Sequence, residues 1–579
     1  MPNPSTLSLP PAVAWTGRAG RHALKLVAIA ALASCGGASQ APSPEMQVEE
    51  DRVGAFGDAP VDHGAGPGVA YDESTEDARQ SALGQVSAQG IAVPAGPADA
   101  HQKGVFGAAF TWPIIPLHTV LLPDGRVLSY GSKPSGLQGG QLHYAVWDPA
   151  AGMGSKSKLL LSNTTGTDIF CAGQALLPQS GDVLLVGGDR LVNGKRNYAN
   201  RDVNIFTGAD NALTKQSQSM AYQRWYATVV TTASGELAVL GGRDDMYYAG
   251  NETNPPTDDT YASIPEVFNA TTGWRTLTTA QSDHAYGALV QSWNYPRAWW
   301  GPDGRVVVIT VPGKIFSLDV SGTGQVTQLA GTLPKGAYML PAVMYQPGKI
   351  LAVREKGLAS LVDINGASPT VSSAAPLSAD RQFGNATLLA DGKVWVNGGS
   401  STGNDLVGAV YHSETWDPAT SQWTQNASAT KARLYHSVSM LMPDGSVLTG
   451  GGGAPGPVAQ LNAEIYFPPY LYKTDGSGQP AVRPAISSAP SAATWGQEIA
   501  VTMARTGTVS RMTLVRFGAV THAFHNEQRF QDLPFTQTGK NLTVTLPASA
   551  HNAPPGFYML FALDAAGVPS KAKIVRLGG

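Results

Sequence analysis

Four side chains capable of redox or metal chemistry stand at nearly one distance ahead of a recurring glycine turn. Cys171 lies ten residues before Gly181, and Tyr226 lies nine before Gly235. Tyr435 and His436 lie ten and nine before Gly445. Imidazole nitrogen with phenolate oxygen suits copper(II) better than magnesium or calcium. One imidazole is too few, and the other histidines include His118, His143, His284, His412, His522, His525 and His551. Spacing does not choose among them. Taken singly, a Tyr or Cys leading into a strand is usually core, and Phe383, nine before Gly392, shows the position occupied by a packing residue. The shared placement is what gives the group weight. Successive strand residues face opposite ways, so Tyr435 and His436 can share a metal only where a strand ends or bends.

The elements that would position these residues repeat along the chain. The copies read LLPDGRVLSYG (121–131), LPQSGDVLLVGG (177–188), TASGELAVLGG (232–242), GPDGRVVVIT (301–310), QPGKILAV (346–353), LADGKVWVNGG (389–399) and MPDGSVLTGGG (442–452). Asp-Gly and similar pairs between apolar runs mark hairpins, because such turns need positive φ. Several copies go on to a third element such as VFNATTGW (267–274) or TWDPATSQW (415–423). A hairpin, a further strand and Gly-Gly at a period of about 50 residues is the kelch type of β-propeller blade. Seven turns predict seven blades over 105–480. A propeller gathers one residue position from every blade around its axis, so the four reactive side chains should converge at one end. From 481 to 579 the pattern changes to shorter alternating runs such as EIAVTMA (498–504) and NLTVTLP (541–547), which predict an immunoglobulin-like β-sandwich. The expected fold class is all-β.

Composition narrows the function classes. Charged residues are 14% of the 579, where about 25% is usual, and the net charge is −3. That excludes a nucleic-acid binder held by a basic surface. Two cysteines make neither a disulfide framework nor a cysteine zinc site. The first, Cys35, follows a basic stretch with Arg18, Arg21 and Lys25 and an apolar run, Leu26 to Ala33, too short to span a bilayer. Its Leu-Ala-Ser-Cys ending resembles the bacterial lipobox, so residues 1–35 are expected to be a lipoprotein-type signal with Cys35 lipidated. The Ala/Gly/Pro-rich stretch 36–104 reads as a flexible spacer to an envelope membrane, periplasmic or on the cell surface.

Four segments, IFCAGQALLPQSGDVLLVGGD (169–189), RWYATVVTTASGELAVLGG (224–242), ARLYHSVSMLMPDGSVLTGGG (432–452) and VTHAFHNEQRF (520–530), together resemble the galactose oxidase and glyoxal oxidase family of copper-radical oxidases. The resemblance runs from about 105 to 579. It implies one copper ion held by Tyr226, Tyr435, His436 and His522. It also implies a thioether between Cys171 and Tyr226 that carries a radical, with Tyr435 as proton acceptor. His525 falls where the family has a non-ligand. The implied reaction oxidises a small aldehyde, as its hydrate, or a primary alcohol, and reduces O2 to hydrogen peroxide. Terminal groups on glycans are a third substrate class.

Arg224 reads equally as a residue near the cavity or as surface packing. Galactose oxidase has a Trp over its thioether soon after the Gly-Gly that follows the radical Tyr. Here Gly241-Gly242 is followed by Arg243-Asp244-Asp245-Met246, which favours small aldehydes over sugars. Trp293, Trp299 and Trp300 read as blade packing or as an aromatic wall. The alternative from another class is a non-catalytic, lipid-anchored kelch propeller that binds glycan or protein. It leaves Cys171, Tyr226, Tyr435, His436 and His522 as coincidence. A sialidase-like propeller hydrolase lacks its arginine cluster and Asp-box repeats.

Overall fold

The computed structural model describes residues 91–243, 261–289, 292–337 and 339–578. The lipobox-like segment with Cys35, most of the expected spacer and Asp244–Met246 lie outside the described residues. The seven turn glycines all take φ between 72° and 88°, as tight hairpins require. They follow seven first strands: His118–Leu121, Gly173–Leu176, Thr228–Thr231, Arg297–Trp300, Ala342–Gln346, Asn385–Leu388 and Ser437–Leu441. Each begins an antiparallel blade, and seven such sheets lie among the described residues. The seventh is completed by strands that precede the first blade, since Val105–Phe106 and Phe110–Thr111 pair with Asn462–Phe467. The ring is closed by joining its two ends.

Position in the blade explains the sequence of each strand. First strands of neighbouring blades touch one another, so they line the axis. His118–Leu121, Gly173–Leu176, Thr228–Thr231 and Asn385–Leu388 are buried at every residue. Outer strands such as Lys158–Ser162 and Thr370–Ala374 are largely exposed; the second is rich in polar residues, while the first leaves Leu159 and Leu160 at the surface. The C-terminal unit packs two sheets face to face, one of four strands and one of five. It has its own core, including Val501, Met512, Leu514, Val544, Leu560 and Val575.

Six blades lead into their first strand through a residue with left-handed backbone: Cys171 (φ 55°), Tyr226 (74°), Tyr295 (39°), Met339 (66°), Phe383 (65°) and His436 (67°). This conformation costs a non-glycine residue energy and persists only where its surroundings hold it. Backbone bonds do so here. The Tyr226 N–H donates to the Cys171 carbonyl at 3.0 Å, Tyr295 to Tyr226 at 2.8 Å, and Phe383 to Met339 at 3.0 Å. The kink residues are thereby stapled from blade to blade around the axis.

The C-terminal unit sends residues 519–530 into that axis. Ala519–Thr521 pairs with the inner strand of the first blade. Further in, the Asn526 amide donates to the Val229 carbonyl, and the Gln528 amide donates to Ala386 while accepting from the Leu388 N–H. Arg529 donates to the Trp300 carbonyl. The unmet backbone groups of the inner strands find their partners in this insert, which locks the second domain to the first.

Three blades share a buried ion pair: Arg224–Glu266 at 2.9 Å, Arg381–Glu414 at 2.7 Å and Arg433–Glu464 at 2.8 Å. Each arginine also donates to carbonyls, Arg224 to Gly241, Ala262 and Ile264. Arg224 is therefore a fully buried strut between blade elements, not the surface packing residue that was one of its two readings. In the second blade Asp189 is buried beside Asp168, with Arg196 bridging them at 3.4 and 2.7 Å. Burial, then Asp168, push the Asp189 carboxyl up to about 7, against the pull of Arg196. A carboxyl raised on folding contributes stability below its unfolded pKa, lost as pH rises toward the folded value. Asp189→Asn should therefore gain melting temperature relative to the parent as pH rises from about 5 to about 8. Parallel thermal scans of the two proteins check this.

The expected spacer ends earlier than residue 104. The Gly96 N–H donates to the Gly478 carbonyl at 2.8 Å, and Ala100–Lys103 forms one helical turn with Ala100 fully buried. The partners of this segment lie more than 300 residues away, so its Ala/Gly/Pro composition gave no local sign of packing. Among the described residues no helix is long and apolar enough to cross a membrane.

Candidate metal centre

Cys171, Tyr226, Tyr435, His436 and His522 come together at the end of the axis where the first strands begin. Tyr435 and His436 precede their strand, and the kink at His436 lets both rings face one way, stacked at 3.7 Å. His522 arrives on the insert. The Thr521 and Phe524 backbones bond reciprocally around His522 (φ 50°) and Ala523 (φ 59°), making His522 the first tip residue of a two-residue turn. An Arg297 N–H holds the tip by donating to the His522 carbonyl at 3.2 Å.

Each imidazole is oriented through its Nδ1. The His436 Nδ1–H donates to the Gly453 carbonyl at 2.7 Å. The Thr521 hydroxyl donates to the Leu117 carbonyl at 3.1 Å, so toward the His522 Nδ1–H it acts as acceptor. Both Nε2 atoms are thereby left with free lone pairs. Burial lowers His436 to about 3 and holds His522 well below its ordinary value, so both are neutral. The rings of His436 and His522 are 4.5 Å apart, and those of Tyr226 and His522 are 4.9 Å apart. The hydroxyls of Tyr226 and Tyr435 are hydrogen-bonded to each other.

The Cys171 thiol neighbours the Tyr226 phenol, and its sulfur lies 3.4 Å from His522 Nε2 and 3.9 Å from His436 Nε2. Burial pushes the Tyr226 phenol well above its ordinary value, with Cys171 and Tyr435 adding to the shift. A phenolate there needs a cation beside it. Two neutral imidazoles and two phenols packed ring against ring are a donor set of the kind that fits copper(II). Tyr435, Phe383 and Trp293 are half-buried and pack against the apolar cluster around Tyr226, with Phe383 edge-on to Tyr435 at 5.3 Å.

Residues 483–577 match the family model described as galactose oxidase-like, Early set domain. Galactose oxidase of Gibberella zeae is 27% identical over 509 residues, spanning 82% of this chain and 70% of that protein. Aldehyde oxidase GLOX1 of Arabidopsis thaliana is 22% identical over 471 residues, 71% of this chain and 72% of that one. A solved fungal alcohol oxidase in complex with copper, of the AA5 family, superposes with a TM-score of 0.70 at 25% identity, covering 82% of this chain and all of that one. The chain belongs to the galactose oxidase and glyoxal oxidase family. The propeller with its C-terminal sandwich is the fold of that family.

Other residues singled out in the sequence sit apart from this cluster or beside it in unforeseen ways. His525 packs its ring against Gly518, where an added Cβ would lie 1.7 Å from it. Trp299 stands edge-on to Phe524, and Trp300 stacks with His551 at 5.8 Å, so both are packing residues. Trp293 meets the Tyr226 ring edge-on at 5.9 Å. Two aromatic neighbours were not singled out: Trp225, at 4.3 Å from the Tyr226 ring, and Tyr295, at 5.1 Å from it and 4.5 Å from His522. The signal for Tyr295 was present, since it lies nine residues before Gly304. His118 was only one of seven open histidines. It is fully buried, stacked on Tyr130 at 4.3 Å, and groups with Cys171 and His522 within 4.8 Å.

Proposed function

We propose that the chain is a copper-radical oxidase. It removes two electrons from a small aldehyde, taken as its hydrate to the carboxylic acid, or from a primary alcohol to the aldehyde. O2 accepts the electrons and protons as hydrogen peroxide. The observation that carries this reading is the convergence of the two phenols and two Nε2-free imidazoles beside the Cys171 sulfur. Tyr226, Tyr435, His436 and His522 would hold the metal, which when bound supplies a one-electron acceptor and a position for substrate oxygen. Tyr435 Oη takes the proton of the substrate hydroxyl. Tyr226, joined to Cys171, takes the hydrogen from carbon. The edge-on placement of Trp225 and Trp293 leaves no indole flat over Tyr226 among the described residues. That favours an aldehyde hydrate over a sugar. Export through a signal ending at a lipidated Cys35 belongs to the same reading.

Thioether formation removes the thiol hydrogen of Cys171 and one ring hydrogen of Tyr226, with O2 reduced to peroxide. Intact mass before and after aerobic copper loading tests it. The expected result is a loss of two hydrogens that Cys171→Ala abolishes, together with peroxide from an aldehyde or primary alcohol. An unchanged mass with no peroxide from either class would sink the oxidase reading in favour of a binding propeller.

A further inference from the structure

The mechanism above uses neither nitrogen of His118, and the rest of the core does not use them either. It is fully buried, and both Nδ1 and Nε2 lack a hydrogen-bond partner. Leaving such a polar group unmet costs free energy unless a ligand meets it. The fold makes deliberate room for it. His118 pairs with Tyr130 on one side and with Thr521 on the other, which sets it next to His522. Gly131 accepts the ring, since a Cβ there would lie 3.2 Å from His118 Cδ2. The ring nitrogen, the Cys171 sulfur and a His522 nitrogen all lie within 4.8 Å of one another.

A thiol with two imidazoles differs in kind from two imidazoles with two phenols. Sulfur is a soft donor and selects monovalent copper, whereas the phenol-bearing set suits the divalent ion. The 3.4 Å between Cys171 Sγ and His522 Nε2 is what donors at about 2.3 and about 2.0 Å from one ion would span at a near-tetrahedral angle. We propose that His118, Cys171 and His522 form a loading site for monovalent copper in the chain before Cys171 is joined to Tyr226. His522 belongs to both sets, and the sulfur stands between them, 3.9 Å from His436 Nε2. Once the sulfur is bonded to Tyr226 it is a neutral thioether, a weaker donor, and the ion is released toward His436 and the phenols. Binding takes the thiol proton off Cys171, so one proton is released per ion taken up.

This inference rests on the cross-linking proposed above but is tested without it. The metal-free, uncross-linked protein is titrated anaerobically with monovalent copper against a chromogenic chelator. The parent should take up one ion and release one proton, with sulfur scattering in its X-ray absorption spectrum. His118→Phe, which keeps the stack on Tyr130, should weaken monovalent copper about 100-fold or more while leaving divalent copper affinity at the parent's value. His436→Phe should do the reverse. Should His118→Phe not fold, His118→Gln takes its place. Parent-like uptake by the His118 variant, loss of monovalent binding in the His436 variant, or a copper spectrum without sulfur would each overturn the loading site. An unchanged mass on later exposure to air would overturn the cross-link and leave the titration result standing.

Discussion

Tyr435→Phe should lower turnover by about 10²- to 10⁴-fold, the range lost when a positioned proton acceptor is removed. The substitution is clean because the ring is held by contacts that Phe retains. It stacks on His436 at 3.7 Å and meets Phe383 edge-on at 5.3 Å. Oη is deleted, and with it the hydrogen bond to the Tyr226 hydroxyl and one of the four donors proposed to hold the metal. Steady-state peroxide release on the best aldehyde or alcohol of a panel measures the loss. The drop should fall on kcat more than on KM, since the proton moves in the reaction and not on binding. Aerobic copper loading of the variant should still remove two hydrogens, because Cys171 and Tyr226 are untouched. Turnover within tenfold of the parent would show that the proton leaves by another route.

The parts of this site that could be read from sequence are those fixed by local geometry. A hairpin turn places the first strand of each blade, and the kink residue precedes that turn by a nearly constant number of residues. Cys171, Tyr226 and His436 were visible for that reason, with Tyr435 beside them. The same count applied to Gly304 and Gly348 gives Tyr295 and Met339, both packed in the cluster around Tyr226. The buried struts also leave a pattern. An arginine precedes Tyr226, Phe383 and Tyr435 by two residues, and its glutamate opens Glu-x-aromatic in the third strand (Glu266, Glu414, Glu464). What was not legible depends on distant pairing. His118 lies two residues past the kink position of its blade, and its partner strand comes from 519–521. His522 was reached only through family resemblance, because no spacing within the propeller points to an insert from another domain.

That insert ties a distant ion pair to the proposed metal site. Glu527 is buried with Arg516 at 2.8 Å, and its carboxylate also accepts from the Thr231 N–H and hydroxyl at 3.1 and 2.8 Å. Burial pushes the Glu527 carboxyl up, but Arg516 and the Thr231 donors more than offset it and hold it below its ordinary value. Glu527→Ala leaves the Arg516 charge buried with only carbonyls and the Tyr558 hydroxyl around it. Stranding one partner of a buried pair costs about 3–5 kcal/mol, whereas replacing both with apolar residues is often close to neutral. Glu527→Ala should therefore lower the denaturant midpoint clearly, and Arg516→Met with Glu527→Met should lower it less than Glu527→Ala alone. The second readout is copper. His522 stands five residues before Glu527 on the same insert, so loosening the anchor in Thr228–Thr231 loosens the imidazole that completes the donor set. Divalent copper affinity should fall about 10- to 100-fold in Glu527→Ala, the range for loss of a group that orients a ligand. Lost stability with parent-like affinity would show that the insert holds the two domains together without setting the site.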